Sequence, residues 1–289
     1  MMAYRRISGR ELDRIQQRLS TRDSAILGVV AEHRYLTTKQ ISRFIFVDKP
    51  TETAALRAAN RTLSKLADLL ILQSLQRRIG GVRAGSGGYV WHLTDAGARL
   101  LRKETGTEGG NTSRQRSIEP SSTFLEHTLA IAEVHLHLRQ ATSEANITLR
   151  PPQLEPDCWR AYVGSGGGTL RLKPDLAITT LTGDYEDHWF IEVDRDTEPP
   201  SRIIRKCLQY QEYQRTGTEQ HRIGVFPAVV WIVPGTIRRE QLQRRLSAEP
   251  AISKRLFTVV TLDHLASLIS EGANHINPTG GQQGEHPHE

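Results

Sequence analysis

Apolar residues in the first part of the chain recur three and four positions apart. This spacing predicts helices over residues 22–33, 38–46 and 51–70. Thr37 and Thr38 stand at the start of the second segment, where a hydroxyl can accept the free backbone N–H groups of a helix end. The region therefore begins as three short amphipathic helices.

Two strands are predicted after the third helix, at residues 72–77 and 89–93. The glycine-rich segment 80–88 joins them, and the run at 94–97 starts another helix. The order of elements is thus three helices, a hairpin and a helix.

Basic residues lie on the third helix of this order. Arg57, Arg61 and Lys65 stand four apart, so they share one helix face. Three helices and a basic hairpin resemble the winged helix-turn-helix plan, and segments 35–41 and 93–97 resemble it in sequence. The resemblance implies that the third helix enters the major groove of DNA.

The predicted hairpin is basic as well. The resemblance implies that Arg77, Arg78 and Arg83 approach the DNA backbone or the minor groove. The alternative is a protein-interaction module whose arginines form an ordinary solvated face. DNA is favoured because the basic residues lie on the docking elements of the plan.

The rest of the chain mixes helices with strands. Residues 104–120 are rich in Gly, Thr, Ser and Arg without periodicity, which indicates a linker. The helices predicted beyond it are 123–141, 198–215, 238–246 and 262–270. The strands are 147–149, a hairpin that begins after Pro174 and ends at 193, then 228–233 and 258–260, with 151–168 as an irregular connection. Such alternation is typical of an α/β architecture.

The hairpin is the part of the chain with the clearest chemistry. Asp175 stands at the start of its first strand, and Glu192 and Asp194 stand on the second. Residues two apart on a strand face the same side, so Glu192 and Asp194 can project together with Asp175 across from them. Carboxylates that converge repel one another unless something neutralises them. A divalent cation does so, which predicts Mg²⁺ or Mn²⁺ and metal-assisted phosphodiester hydrolysis.

The ordered motif resembles a known superfamily. Pro174-Asp175 followed by Glu192-Val193-Asp194 resembles the PD-(D/E)XK nucleases. The longer run at 192–198, with Lys206 and a tyrosine behind it, resembles the replication-relaxation family more narrowly, over roughly residues 22–235. Members of that family occur on plasmids and other mobile elements of Gram-positive bacteria, so the resemblance implies double-stranded DNA of such an element as partner.

The motif departs from the superfamily at its third position. Asp194 stands where the superfamily has a lysine that orients the attacking water and stabilises negative charge. Lys206 on the following helix can reach back into the site, and Lys173 beside Pro174 is a second candidate. The departure puts activity in doubt but leaves the predicted fold unchanged.

Several further residues are candidate accessories. The resemblance implies that an acidic residue of helix 123–141, Glu126 or Glu133, faces the metal, and that His127 contacts a phosphate or the metal. Gln209 and Tyr213 resemble the Gln-and-Tyr helix motif of the exonuclease branch, and Tyr210 lies beside them. His135 and His137 diverge on a helix and are not predicted to be a metal pair.

Charge is spread unevenly along the 289 residues, whose net charge is +6. Residues 1–120 hold 21 Lys+Arg and 11 Asp+Glu, a net of +10, whereas the remainder holds 17 and 21, a net of −4. A basic first part favours nucleic-acid binding there. The 2 Cys have no CxxC partner, which excludes a zinc ribbon.

These patterns predict an N-terminal winged helix-turn-helix followed by a restriction-endonuclease-like α/β domain. The predicted divisions are a DNA-binding domain at 1–103, a linker at 104–120, a nuclease-like domain at 121–271 and a disordered tail at 272–289. Without a membrane-length apolar run or a signal-peptide core, the expected location is the cytoplasm. A homodimer is left open.

Three functions remain open from the sequence. The first is a metal-dependent endonuclease or nickase in plasmid replication or transfer. The second is a regulator that binds DNA on a nuclease fold that has lost activity. The third is a relaxase-like strand transferase with Tyr210 or Tyr213 as its nucleophile.

Overall fold

The computed structural model describes residues 7–75, 88–106 and 120–272. The chain divides into two compact units, Met1–Leu136 and His137–Glu289. The division falls inside a long helix, whereas the sequence predicted a linker at 104–120. Because residues 107–119 lie outside the described part, the predicted domain boundaries stay a prediction.

The first unit combines helices with a small sheet. Its elements are α1 (Gly9–Gln16), α2 (Thr21–His33), β1 (Leu36–Thr37), α3 (Thr38–Ile45), α4 (Glu52–Asp68), β2 (Leu72–Ser74), β3 (Val90–Leu93), α5 (Asp95–Thr105) and the first part of α6 (Ser122–Glu144). β3 lies between β1 and β2 and is antiparallel to both. The three helices, two strands and following helix predicted for this part are present in that sequence, with the short β1 added between the first two helices.

Capping side chains fix the starts of helices in this unit. Ser20 and Asp23 form a reciprocal capping box at α2, and Thr37 and Gln40 form another at α3. The apolar faces then pack into one core. Its fully buried members include Ile26, Leu27, Val30, Leu36, Ile41, Ala59, Leu63, Leu66 and Ile71.

The second unit is built on a mixed sheet. Its strands are β4 (Thr148–Leu149), β5 (Gln153–Leu154), β6 (Arg160–Val163), β7 (Thr169–Leu172), β8 (Leu176–Thr182), β9 (Tyr185–Val193), β10 (Ala228–Val233) and β11 (Phe257–Thr261). Its helices, besides the end of α6, are α7 (Pro200–Arg215), α8 (Thr218–Ile223), α9 (Thr236–Ala248) and α10 (Leu265–Glu271). The main sheet runs β11-β10-β9-β8-β4, and β5 also pairs with β8.

Strand directions in this sheet change at β9. β9, β10 and β11 are parallel, whereas β8 is antiparallel to β4, β5 and β9. All six residues of β10 are buried, as a central parallel strand requires. The mixed α/β class expected from the sequence is confirmed.

The predicted hairpin is present as β8 and β9. It turns at Gly183, whose φ of +59° suits glycine, and Leu176 pairs with Ile191 near its open end. One further step in this antiparallel register sets Asp175 opposite Glu192. The two carboxylates thus meet where β8 begins and β9 ends.

Several short elements were not predicted. The connection at 151–168 contains β5, which pairs with β8, and β6, which pairs with the following β7 in a separate sheet. β1 and α8 were not predicted either. All of these are pieces of two to six residues, which are too short for a periodic pattern to stand out.

Two other predictions concern the C-terminal tail and membrane-spanning segments. The predicted disordered tail falls almost entirely on residues outside the described part. Among the helices that the structure describes, none is both long and apolar enough to cross a membrane.

Candidate functional site

The candidate site is a group of buried polar side chains at the end of the β8–β9 hairpin. Asp175 is 7% exposed and Glu192 is 1% exposed. Oδ2 of Asp175 accepts a hydrogen bond of 2.7 Å from the backbone N–H of Val193. This bond links the start of β8 to the end of β9 and holds the Asp175 carboxylate beside the strand that carries Glu192.

The backbone just before Asp175 is fixed as well. Cys158 is buried, and its thiol donates to the carbonyl oxygen of Pro174 at 2.9 Å. Burial raises the pKa of this thiol to about 12, so it stays protonated and able to donate. Cys158 therefore acts on the position of Asp175 through the chain and is not a nucleophile.

Helix α7 supplies two partners to the Glu192 carboxylate. The Tyr210 hydroxyl donates to Oε1 at 2.5 Å, and the Lys206 ammonium donates to Oε2. Lys206 and Tyr210 are four apart, so one helix face presents both. The Lys206 side chain is 29% exposed, whereas Tyr210 is fully buried.

Burial dominates the electrostatics of this group. Burial and, less strongly, the nearby charge of Asp175 raise the pKa of Glu192 to about 8, although Lys206 and Tyr210 oppose the shift. Burial lowers the pKa of Lys206, but the charges of Glu192 and Asp175 outweigh burial and leave that pKa raised. Burial also raises the pKa of Tyr210 well above its usual range, with Glu192 adding to the effect. Lys206 therefore carries a proton at neutral pH, and Tyr210 is a hydrogen-bond donor.

Asp194 has a different partner from the other two carboxylates. Its Oδ2 lies 2.6 Å from Nε of Arg238, and its Oδ1 lies 3.3 Å from Nη2. Arg238, on α9, is 4% exposed and also pairs with Asp196 and with the backbone oxygen of Glu198. The structure thus brings two of the three predicted carboxylates together and pairs the third with an arginine.

Arg238 was not singled out from the sequence. It lies 44 positions after Asp194, and no spacing rule links a strand-end acid to a basic residue on a later helix. The sequence signal is weak: a basic residue near the start of a helix that follows a buried parallel strand.

The second candidate lysine faces elsewhere. Lys173 is exposed, and its ammonium lies 4.4 Å from the centroid of the Trp159 ring. The same ring faces the Arg171 guanidinium at 5.5 Å. These contacts place Lys173 in a cation–π stack next to β7, whereas Lys206 reaches Glu192 directly.

Gln209 and Tyr213, the Gln-and-Tyr pair on α7, bond to groups other than Asp175 and Glu192. Gln209 Nε2 donates to the backbone oxygen of Arg171 at 3.1 Å, and the Tyr213 hydroxyl donates to Glu219. Burial and the bond to Glu219 raise the pKa of Tyr213. Of the tyrosines named from the sequence, Tyr210 is the one that contacts a motif carboxylate.

The remaining accessory candidates lie in the first unit. Glu126 and His127 are half-buried residues near the start of α6, in the unit that does not contain the β8–β9 hairpin. Their proposed contact with a metal or a phosphate stays a prediction.

The basic residues of α4 form a second candidate surface. Arg57, Arg61 and Lys65 are exposed, as the sequence predicted for one face of the helix. Lys65 lies 2.5 Å from the buried Asp23, whereas Arg57 and Arg61 form no ion pair with any residue in the described ranges. Arg77, Arg78 and Arg83 lie outside the described residues.

Comparison with solved structures gives distant similarities that include two structures of the restriction endonuclease FokI. The DNA-bound form is 13% identical with a TM-score of 0.25, and the match covers 96% of this chain and 47% of FokI. The other FokI structure is 10% identical with a TM-score of 0.26, and the match covers 94% of this chain and 73% of FokI. The chain thus spans about half the length of the DNA-bound FokI chain.

Comparison with sequences gives one family. No curated protein matches the chain. The model of the family described as replication-relaxation matches residues 27–229, which is more than half of the 289 residues and contains Asp175, Glu192, Lys206 and Tyr210. The chain belongs to the replication-relaxation family.

Proposed function

We propose that the protein is a metal-dependent DNA endonuclease or nickase that acts on plasmid or mobile-element DNA. The observation that carries the proposal is the buried group at the end of the β8–β9 hairpin, where Asp175 and Glu192 adjoin and Lys206 contacts Glu192. A buried carboxylate whose pKa is raised by burial and by a neighbouring carboxylate, as for Glu192 beside Asp175, is typical of functional sites. The order of α6, β4, β8, β9, α7 and β10 is also the one that the resemblance to PD-(D/E)XK nucleases implies.

The donor atoms of this group suit a hard divalent cation. Asp175 and Glu192 offer carboxylate oxygens, which Mg²⁺ and Mn²⁺ prefer as ligands. The two bonds to Glu192 leave it acceptor capacity, because two carboxylate oxygens provide about four lone-pair sites. We restrict the proposed ligands to Asp175 and Glu192, since Arg238 already neutralises the charge of Asp194.

Each residue has a distinct proposed task. A bound divalent cation would activate water and neutralise the charge of the phosphate. The Lys206 ammonium, beside Glu192, supplies the positive charge that the motif lacks at Asp194 and stabilises negative charge developing on the phosphodiester. The Tyr210 hydroxyl holds the orientation of Glu192, and the Val193 N–H holds that of Asp175.

The first unit is proposed to bind the DNA duplex as a winged helix. The order of α2, α3 and α4 with the sheet of β1, β2 and β3 supports this plan. α4 is the proposed recognition helix, because Arg57 and Arg61 are exposed on it without an ion pair to a described residue. Such arginines can contact phosphates or base edges in a major groove.

A second function has a specific observation in its favour. Lys206 and Glu192 form a direct, partly buried ion pair, and a structural salt bridge in an inactive nuclease fold would have the same geometry. The protein would then be a DNA-binding regulator. The tyrosine strand-transferase function has the least support, because the hydroxyls of Tyr210 and Tyr213 are buried, bonded to carboxylates and raised in pKa.

Nicking of supercoiled plasmid in Mg²⁺ or Mn²⁺ tests the proposed nuclease. We expect wild-type protein to relax the plasmid, and Asp175→Asn and Lys206→Ala each to lose that activity. Lys173→Ala is the matched control, since this exposed lysine lies over Trp159 and should leave nicking unchanged. Activity that survives Lys206→Ala but is lost in Asp175→Asn rejects the role of Lys206. A wild-type protein that binds DNA but does not nick it with either metal favours the regulator.

A further inference from the structure

A second group of potential ligands lies in the first unit, whereas the β8–β9 hairpin belongs to the second. Glu32 and His33 are the last two residues of α2, and His135 lies on α6 within the same unit. Each offers one ligand atom, and these atoms lie within 4.8 Å of one another. Both histidines are buried, whereas Glu32 is exposed.

The two histidine rings face each other directly. Nε2 of His33 lies 3.0 Å from Nδ1 of His135, and the Phe44 ring centroid lies 5.2 Å from each imidazole. Two bare nitrogen lone pairs at this distance would repel, so without a metal one of the two nitrogens must carry a proton. Nδ1 of His33 is buried and has no hydrogen-bond partner among the residues described, so no second hydrogen bond fixes this ring.

The separation of the two nitrogens is close to what a shared metal ion requires. Two Zn–N bonds of about 2.05 Å at a tetrahedral angle hold their nitrogens roughly 3.3 Å apart. The exposed Glu32 adds a carboxylate oxygen from the solvent side.

We propose that Glu32, His33 and His135 bind a transition-metal ion of the zinc type, at a site that does not include Asp175 or Glu192. Two imidazoles and one carboxylate favour Zn²⁺ over Mg²⁺, which prefers oxygen ligands. The ion would join the end of α2 to the α6 segment of the first unit. Its role would be structural, because binding to the folded state alone stabilises that state.

Cobalt spectroscopy on the full-length protein tests the site, because Co²⁺ bound by imidazole nitrogens in a tetrahedral site absorbs visible light. We expect wild-type protein to bind one Co²⁺ with such a band, and Zn²⁺ to displace it and raise the melting temperature. His135→Gln should abolish the band, and Glu32→Gln, which alters an exposed residue, should weaken it. If His135→Gln does not fold, the Glu32→Gln result decides.

Three control variants distinguish this site from other histidines and from the carboxylates Asp175 and Glu192. His137→Gln changes a histidine two positions along α6, and the double variant His286→Gln/His288→Gln changes the C-terminal histidines. Both should keep the band, as should Asp175→Asn. The proposal is overturned if wild type shows no nitrogen-type band, or if the band is unchanged in both His135→Gln and Glu32→Gln.

Discussion

At the scale of single residues, Glu192 is a buried side chain whose charge its neighbours must compensate. It is a carboxylate at 1% exposure that faces Asp175, and it is held by one ammonium and one hydroxyl. Burial of this kind destabilises a charged carboxylate unless its partners compensate. The two α7 side chains therefore decide how readily Glu192 is deprotonated and able to accept a metal.

Removal of the Tyr210 hydroxyl tests this dependence on the partners. In Tyr210→Phe the hydrogen bond that lowers the pKa of Glu192 is absent, so that pKa should rise. Because the metal binds the deprotonated carboxylate, the pH profile of Mn²⁺ binding should move to higher pH. At neutral pH we expect affinity about 10-fold weaker, the usual cost of removing an outer-shell partner.

Tyr213→Phe is the matched control for that change. The Tyr213 hydroxyl bonds to Glu219, which is not part of the candidate site. Its pH profile should coincide with that of the wild type when both are measured by calorimetry at several pH values. Equal profiles for Tyr210→Phe and the wild type would show that Tyr210 does not tune Glu192.

The sequence predicts which site residues meet only where one hairpin determines the contact. Asp175 and Glu192 were predicted to adjoin because a hairpin register fixes which residues face each other, and the observed register sets them opposite. The ion pair of Asp194 with Arg238 and the contact of His33 with His135 depend instead on packing between elements that are distant in sequence. No periodic pattern within one element encodes such contacts.

At the scale of elements, long segments with strong periodicity were predicted well, whereas several short ones were missed. The predicted helix at 22–33 is observed as Thr21–His33, and the predicted strand at 228–233 is observed as Ala228–Val233. The β6–β7 hairpin was missed, since its strands are four residues long and carry exposed apolar residues such as Val163. That side chain is apolar yet 65% exposed, and it follows two other apolar residues, so the sequence of β6 lacks the polar–apolar alternation of a half-buried strand.

Helix α4 is the element on which the DNA-binding proposal depends. Reversal of charge in Arg57→Glu/Arg61→Glu should abolish binding to duplex DNA, because both side chains are exposed on the proposed recognition face. The salt slope of binding should fall by about one for each phosphate that is no longer neutralised. Lys65 is kept unchanged, because its bond to the buried Asp23 contributes to the fold.

Binding measured by fluorescence anisotropy over a range of salt concentrations checks the expectation. Arg245→Glu is the control, an exposed arginine on α9 in the second unit. Circular dichroism should show that both variants stay folded, since surface substitutions away from buried partners cost little. Unchanged affinity and salt slope in the α4 variant would move the DNA-binding surface to another element.

At the scale of the whole molecule, two compact units carry two different kinds of chemistry. The first unit presents exposed arginines and the His33–His135 group, and the second holds buried carboxylates at one end of a mixed sheet. The charge of the chain is also uneven, with a net of +10 in residues 1–120 and −4 in the rest, although the boundary between the two units falls after Leu136. A protein that binds DNA with one unit and acts on it with another would be organised in this way.

Mn²⁺ binding by the full-length protein tests the central claim, that Asp175 and Glu192 together hold a divalent cation. Isothermal calorimetry should detect Mn²⁺ binding in the wild type. Asp175→Asn and Glu192→Gln should each weaken it by more than the roughly 10–100-fold that an outer-shell change costs. Glu186→Gln, which alters a solvent-exposed acid on the same strand β9, should bind like the wild type. Wild-type binding that survives both Asp175→Asn and Glu192→Gln, or no Mn²⁺ binding at all, would contradict the claim.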